Sequence, residues 1–534
     1  MAKMQDLMEV QFPMAGLVTE TSFSNQPLGS RDDPRVTTRR ARNVGPVNPR
    51  NGLSQMSQRA GLDKYVATRV DASTNLQVQD LTSIVTSETT PTSTGEIDVR
   101  NVTRLAVAKG NIKRFTTAGF TDPAGGTGVG ALNTSTISPV VFSQPFFNVV
   151  YYVDGAVYKK YTVSSDAVAT WAASAGTLPV SGSNRARLIC AWGGRIVLSG
   201  VAGDGQNYFM SALNDAADFD YSVALAEDVA VAGNSSLAGQ PSDIINALVP
   251  YSDDILYFLC DHSIWMMDGN PAAGGRVMLV SGVTGGAWGR PFCRDETGAI
   301  YFFGSRGGVF RMEVGAPQSI TDNKITKDLR SVNLLTTIVR MEWDDRDQKV
   351  HLWLTSLTGA ASVHYVWYRQ QDAWFDVTYE DAGMNPTAVH TIDADAPTDR
   401  YMLLGCRDSY IRYINPDALD DDGETITSDV YMGPIKIGKD RKFMLTEIQA
   451  ILDDDADFVD FEVYAGTHAQ DAFESGVPKI SGRFDAGHSY AVRDRCSGRA
   501  LYIRLKNSAL LGHWAMEKLY IRLKEFGLVE QRRP

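Results

Sequence analysis

The side chains that could do chemistry in this chain are scattered rather than grouped. Seven histidines, His262, His351, His364, His390, His468, His488 and His513, stand singly, and none forms His-Glu-x-x-His or His-x-His. Zinc motifs of that kind need paired ligands at fixed spacing, so the histidine pattern predicts no metal centre. No Gly-x-Ser-x-Gly elbow, phosphate-binding P-loop or strand-linked Gly-x-Gly-x-x-Gly occurs. Residues 125–130 (Gly-Gly-Thr-Gly-Val-Gly) are glycine-rich, but no Lys-Ser/Thr pair and no helical pattern follow. They read as a flexible loop. Two loops are dense in carboxylates: Asp417, Asp420, Asp421, Asp422 and Glu424, then Asp453, Asp454, Asp455, Asp457 and Asp460. Oxygen-rich loops can hold calcium, yet neither matches the spacing of a calcium-binding helix–loop–helix, and the other reading is a solvated turn. The chain is therefore expected to be a non-enzyme with no cofactor and no metal. A pair of carboxylates meeting across the fold is the one catalytic arrangement that spacing alone leaves open.

The five cysteines, Cys190, Cys260, Cys293, Cys406 and Cys496, are odd in number, far apart and without a Cys-x-x-Cys. A disulfide framework is not expected, and Cys260 and Cys406, inside apolar strands, read as buried reduced thiols. The N-terminus lacks a basic stretch followed by an apolar run, and no 18-residue apolar span occurs, so no membrane span is expected and synthesis in a reducing cytoplasm is. A formal charge of −12 disfavours general nucleic-acid binding, which draws on neutralising phosphates.

The elements that must position any site are short strands. The chain has 534 residues, 43% of them hydrophobic, with 47 glycines. A unit recurs from about residue 96: an apolar strand, a tight polar turn, a second strand. The segments 255–267, 300–312 and 402–414 show it most clearly, and Asp154-Gly155 is a strong hairpin signal. Turns fall near 109, 154, 203, 261, 306, 358 and 407. Acidic turns at 252–254, 294–298, 344–347 and 393–399 mark a preceding strand, and there is room for a fourth. Four strands in this length make a propeller blade, which buries its faces only by stacking in a closed ring. The expected fold is all-β: a propeller of six or seven blades over residues 61–432, with an extended arm at 1–60 and a C-terminal β-sandwich at 433–534. Two packed sandwiches would explain the strands but not the repeat. In the last hundred residues Leu-Tyr-Ile-Arg-Leu-Lys occurs twice, at 501–506 and 519–524, with the aliphatic residues on one face of each strand. The charged faces are open to two readings, a subunit contact or a solvated exterior.

Prolines 13, 27, 34, 46 and 49 interrupt any periodicity in the first sixty residues. Seven arginines, Arg31, Arg35, Arg39, Arg40, Arg42, Arg50 and Arg59, crowd that stretch. It reads either as an arm lying on an acidic partner or as a solvated tail.

The arm also carries Phe23-Ser-Asn-Gln-Pro-Leu-Gly29, Arg39-Arg-Ala-Arg-Asn-Val44, Pro46, Asn48-Pro49, Gly52 and Arg59-Ala-Gly-Leu-Asp-Lys-Tyr65. This series resembles the opening of the tail nozzle proteins of short-tailed bacteriophages, also called stabilisation or tail tubular B proteins. Ala60 stands where that pattern usually has proline. A second stretch, from Asn184-Arg-Ala-Arg-Leu188 to Ser211-Ala-Leu-Asn-Asp-Ala-Ala-Asp-Phe-Asp-Tyr221, is similar to a segment of such tail proteins. The two cover under a fifth of the chain. The resemblance implies a structural subunit of the virion tail that forms and closes the DNA ejection channel as a homo-hexamer. Its partners would be the adaptor and portal ring proteins above, tail fibres or spikes beside it, and viral double-stranded DNA passing without sequence-specific binding. On this footing the two carboxylate loops, with Asp417, Asp420, Asp421, Asp422, Glu424, Asp453, Asp454 and Asp455, are candidates for the channel wall or rim. Gly125, Gly126, Gly128 and Gly130 are candidates for a moving gate, and the arginine arm for docking on a neighbouring subunit or adaptor. The rival expectation is a tail-associated propeller that binds or hydrolyses carbohydrate; the absence of a Ser-x-Asp-x-Gly-x-x-Trp box speaks against its sialidase-like form.

Overall fold

A computed structural model describes residues 7–26, 36–71, 76–92, 95–127, 132, 141–223, 226–359, 361–392, 400–436, 441–489 and 492–528. Among them, strands dominate, and the α-helices are two short ones, Thr326–Arg330 and Ala469–Glu474. Among the described residues no helix is long and apolar enough to cross a membrane.

Seven antiparallel four-strand units follow one another, and their first strands come together around one axis. The first unit is Val78–Thr92, Gly95–Ala108, Asn111–Thr116 and Gly119–Thr121, and the second Phe142–Phe146, Val149–Val153, Tyr158–Thr162 and Ala167–Thr170. The third is Leu188–Trp192, Arg195–Val201, Asp204–Met210 and Val231–Ala232, and the fourth Ile245–Pro250, Ile255–Cys260, Ile264–Asp268 and Arg276–Ser281. The fifth is Phe292–Arg294, Ile300–Phe303, Val309–Met312 and Gln318–Ser319. Thr337–Asp344, Lys349–Ser356, Val363–Tyr368 and Ala373–Val377 form the sixth; Pro386–Ile392, Tyr401–Cys406 and Ile411–Asn415 open the seventh. The fold is a β-propeller. Each of the seven turns read from the sequence joins the second strand of a blade to its third. At Lys109 and Gly110 both residues have positive φ, 52° and 71°, the geometry that matches the twist of a tight hairpin.

The last blade is completed from the other end of the chain. Gly61–Lys64 pairs with Ile411–Asn415, setting Leu62 opposite Ile414 and Lys64 opposite Arg412. The strand from before the first blade thus covers the edge of the last, and the ring has no open seam.

The sixth blade continues outward. Ala41–Arg42 pairs in parallel with Ala373–Val377 and antiparallel with Ser428–Ile435; Ala500–Asn507, Phe458–Gly466 and Ile480–Asp485 then complete a nine-stranded sheet. Against it packs a second sheet of Val44–Gly45, Met56–Gln58, Ala515–Leu528, Arg441–Leu452 and Cys496–Gly498, with Met8–Glu9 on the edge. Phe443, Leu445, Ile448, Val459, Phe461 and Trp514 fill the space between. Leu501, Ile503 and Leu505 of the first repeated hexamer, and Leu519, Ile521 and Leu523 of the second, all point into this core. Arg504 and Lys506 on the opposite face pair with Glu462, at 3.2 and 2.6 Å. The strand Ser428–Ile435 spans the boundary expected at 432/433 and belongs to this outer sheet.

The described part of residues 1–60, expected as an extended arm docked on a partner or solvated, lies against its own chain. Val10, Leu17, Val18, Val36, Ala41, Val44 and Met56 are buried, and the segment supplies strands to both outer sheets. It hides apolar surface against its own chain, which a tail without a docking site could not do. All five cysteines are buried free thiols.

Candidate functional site

The arginines of the N-terminal segment and the carboxylate loops meet within one chain. Arg59 is the centre of the contact. Its Nη2 lies 2.5 Å from Oδ2 of Asp421 and its Nη1 donates to Oδ1 at 2.8 Å, a two-pronged pair closed from solvent. Nε of Arg59 donates to Oδ1 of Asn43 at 3.0 Å, and Asn43 in turn donates to the carbonyl of Thr427 at 2.8 Å. Asn43 adopts a positive φ of 53°, which asparagine tolerates better than most residues and which turns the chain from one outer sheet to the other. Asp422 pairs with Lys64 at 3.0 Å and with Arg412 at 2.9 Å. Asp420 gives its carbonyl to the backbone N–H of Leu62 and a carboxylate oxygen to that of Gly423. The second loop does similar work: Asn51 donates to Asp453 at 2.9 Å, and Arg50 to the carbonyl of Asp455 at 3.3 Å.

These carboxylates were expected at a channel wall or rim. Asp421, Asp422 and Asp453 hold the N-terminal segment; Asp421 is buried, where a carboxylate needs a fixed cation, and Asp422 and Asp453 are half-buried. Asp417, Glu424, Asp454 and Asp455 are exposed. The described docking-arm arginines make contacts within the chain. Arg39 donates to the carbonyl of Thr19 at 3.0 Å and lies over the ring of Phe23, Arg40 pairs with Asp429 at 2.6 Å, and Arg42 lies 3.8 Å from Asp376. Arg31 and Arg35 fall outside the described residues.

The first two glycines of the expected gate lie between the first two blades. Gly126 gives its carbonyl to the N–H of Ile112 at 2.8 Å, and a Cβ on Gly125 would meet the carbonyl oxygen of Val168 at 2.5 Å. Glycine is needed here because backbone passes close to backbone between the first two blades, which fixes the segment rather than freeing it. Gly128 and Gly130 lie outside the described residues, as does the acidic turn at 393–399.

The structure brings together a second group that no sequence motif marks. The first strands of all seven blades line an axial cavity of about 510 Å³. Asp80, Ser143, Arg290, Arg340 and Glu342 gather there. Asp80 accepts a hydrogen bond from Oγ of Ser143 and lies 3.6 Å from Nη1 of Arg290. The guanidinium groups of Arg290 and Arg340 lie 5.3 and 5.5 Å from the centre of the Phe142 ring. Glu342 accepts from Oγ1 of Thr391 at 2.9 Å. At the wall, Ser83 and Nε2 of His390 are 2.7 Å apart. Among the described residues no group of three or more His, Cys, Asp or Glu is arranged to hold a metal ion.

Burial governs the ionisation of this cavity. It raises Asp80, and pushes Glu342 up from 4.5 to about 7, while it draws Arg340 down to about 10. Asp376, buried beside Arg42, is also pushed up, to about 7. A carboxyl whose folded pKa is raised keeps its proton longer in the folded state, so it favours folding at low pH and loses that advantage as pH climbs from its unfolded value to its folded one. These two carboxyls are therefore expected to contribute a fall in stability between about pH 4.5 and pH 7, opposed over the same range by His364 and His513, which burial draws down to about 4. Glu342→Gln should remove about 2 kcal/mol of that fall, less than the full shift converts to because Glu342 keeps some surface open to the cavity. Urea unfolding at pH 5 and pH 7.5 for both proteins checks this; an unchanged slope in the variant contradicts it.

The cavity residues escaped the sequence reading because they lie in or just before the first strands of different blades, which are far apart in the sequence. The available signal was a charged residue inside an otherwise apolar strand, as with Arg340 and Glu342 flanking Met341.

No family model matches the chain, and no curated protein matches it. Solved structures are similar in outline. The extracellular domain of a hybrid two-component system from Bacteroides thetaiotaomicron is 10% identical over 81% of this chain and 47% of its own, with a TM-score of 0.42. A one-component system domain from the same organism is 11% identical over 94% of this chain and 61% of its own, at 0.40. The GH74 enzyme of Niastella koreensis is 11% identical over 65% of this chain and 44% of its own, at 0.36. The chain spans about half to three-fifths of the length of the first two. Likeness this distant carries no argument about function.

Proposed function

We propose that this chain is a structural subunit of a bacteriophage tail, the nozzle that forms and closes the DNA ejection channel below the portal and adaptor rings. The observation that supports the reading is the work done by the residues that carry the resemblance. Asn43 and Arg59 of the tail-protein motif join the N-terminal segment, the loop after the seventh blade and both outer sheets through one hydrogen-bonded network. Residues of the second stretch are architectural as well: Phe219 is fully buried, and the carbonyl of Ala216 accepts from the indole of Trp171 at 2.9 Å. A motif spent on rigidity suits a load-bearing ring. Closed rings are built from heterologous contacts that return on themselves, and the resemblance to tail nozzle proteins implies six copies. The acidic balance suits a wall that DNA must pass without sticking, since a basic wall would hold phosphates by many ion pairs.

Mass photometry and negative-stain imaging of the purified protein, alone and with its adaptor, test the reading. Six-fold rings are expected; a protein that stays monomeric under both conditions contradicts it. A second reading, a tail-associated carbohydrate-active propeller, draws on one observation: Asp80 and the raised carboxyl of Glu342 share the axial cavity. Polysaccharide turnover that disappears in Glu342→Gln would favour that reading over the nozzle.

A further inference from the structure

Two carboxyls, Asp80 and Glu342, share the axial cavity with its arginines, but Arg340 is in contact with neither carboxylate. Arg290 is matched, by Asp80 at 3.6 Å and by the carbonyl of Ser143. Glu342 is engaged by Thr391. Arg340, only 8% exposed, has one protein acceptor among the described residues, the carbonyl of Val339 at 3.1 Å, and forms no ion pair with a carboxylate. A guanidinium carries five N–H donors in a planar fork, so most of its capacity is unspent. Asp80, already paired with Arg290, offsets this cation only from a distance, and the Phe142 ring lies beside it at 5.5 Å, so a carboxylate in direct contact would satisfy the guanidinium better than the walls do.

We propose that the axial cavity binds a small carboxylate-bearing ligand the size of an acidic monosaccharide, with Arg340 as the clamp on the carboxylate. The space, about 510 Å³, lies within the range of sites that enclose small molecules. Its walls are mixed as a hydroxylated ring requires: Thr82 and Gln144 offer polar groups, and Leu81, Leu248 and Met341 apolar surface. A planar guanidinium meets a carboxylate by two parallel hydrogen bonds, which fixes orientation as well as affinity. Asp80 and Glu342 keep the cavity from becoming a strongly cationic site, which favours a ligand with one negative charge over a polyanion. The inference does not depend on the nozzle reading.

Isothermal titration of the full chain with D-glucuronate, D-glucose and inorganic phosphate tests it. Glucuronate is expected to bind, glucose not measurably, and phosphate more weakly than glucuronate. Arg340→Met should abolish glucuronate binding. Arg340→Lys keeps the charge but loses the fork, and should weaken binding about tenfold or more. It also guards against a methionine variant that fails to fold, since its melting temperature without ligand should match that of the wild type. No glucuronate binding, equal binding of glucose, tighter binding of phosphate, or wild-type affinity in the lysine variant would each overturn the proposal.

Discussion

Arg59→Ala is expected to destabilise the protein by about 3–5 kcal/mol, the cost typical of stranding one member of a buried ion pair. Asp421 is 1% exposed, and its carboxylate is held by Arg59 on both oxygens. Removing the guanidinium also strips Asn43 of its Nε donor at the point where the chain crosses between the outer sheets. Water cannot easily replace these partners in so enclosed a place. Removing both charges together should be much less harmful, because no uncompensated ion is left behind: Arg59→Met with Asp421→Asn is expected to recover most of the loss. Urea unfolding of the wild type, the single variant and the double variant decides the matter. A single variant within about 1 kcal/mol of the wild type would contradict this description of the lock.

Deletion of residues 1–60 is expected to abolish a soluble monomer. Six sizeable side chains from this segment, Val10, Leu17, Val18, Val36, Val44 and Met56, are buried. At about 1.5–3 kcal/mol for each fully buried aliphatic side chain, the gross loss is on the order of 10 kcal/mol, comparable with the whole net stability of an ordinary domain. The deletion also opens the seam between Ala373–Val377 and Ser428–Ile435, which Ala41–Arg42 fills, and leaves two strand edges unpaired. The propeller keeps Gly61–Lys64 and with it the closure of the seventh blade. The damage should therefore concentrate in residues 428–528. Limited proteolysis of whatever remains soluble should release that region first and leave the blades. A truncated chain that is monomeric and resists protease like the full chain would refute the expectation. From the sequence, the segment read as an arm docking on a neighbouring subunit or adaptor, or as a solvated tail, with no part in the fold of its own chain.

That contrast shows which features the sequence exposes. The blades were legible because every one repeats an apolar strand, a tight turn and another apolar strand, and the seven turns from 109 to 407 fall where the second and third strands join. Strands such as Ile255–Cys260 are long enough to display their character. The N-terminal segment was not legible. Its strands, Ala41–Arg42, Val44–Gly45 and Met56–Gln58, are two or three residues long, too short to show an alternating period, and prolines separate them. Their pairing partners lie hundreds of positions away. The two carboxylate loops were recognised as unusual, but charge density does not reveal whether a loop faces solvent or a buried cation; Asp421 and Asp454 look alike in sequence and differ completely in burial. The axial cavity was hidden for a third reason. Arg340 and Asp80 acquire meaning only when the ring closes and brings the sixth blade round to the first.

The central claim is that the chain is a channel-forming subunit of a virion tail. The most direct measurement is a three-dimensional reconstruction of intact virions that carry this protein, at a resolution sufficient to trace its blades. The account predicts six copies in one ring below the adaptor, with a DNA-sized lumen whose lining is acidic or neutral and includes some of Asp417, Glu424, Asp454 and Asp455. A chain found at any other stoichiometry, outside the tail, or around a lumen dominated by lysine and arginine would contradict it.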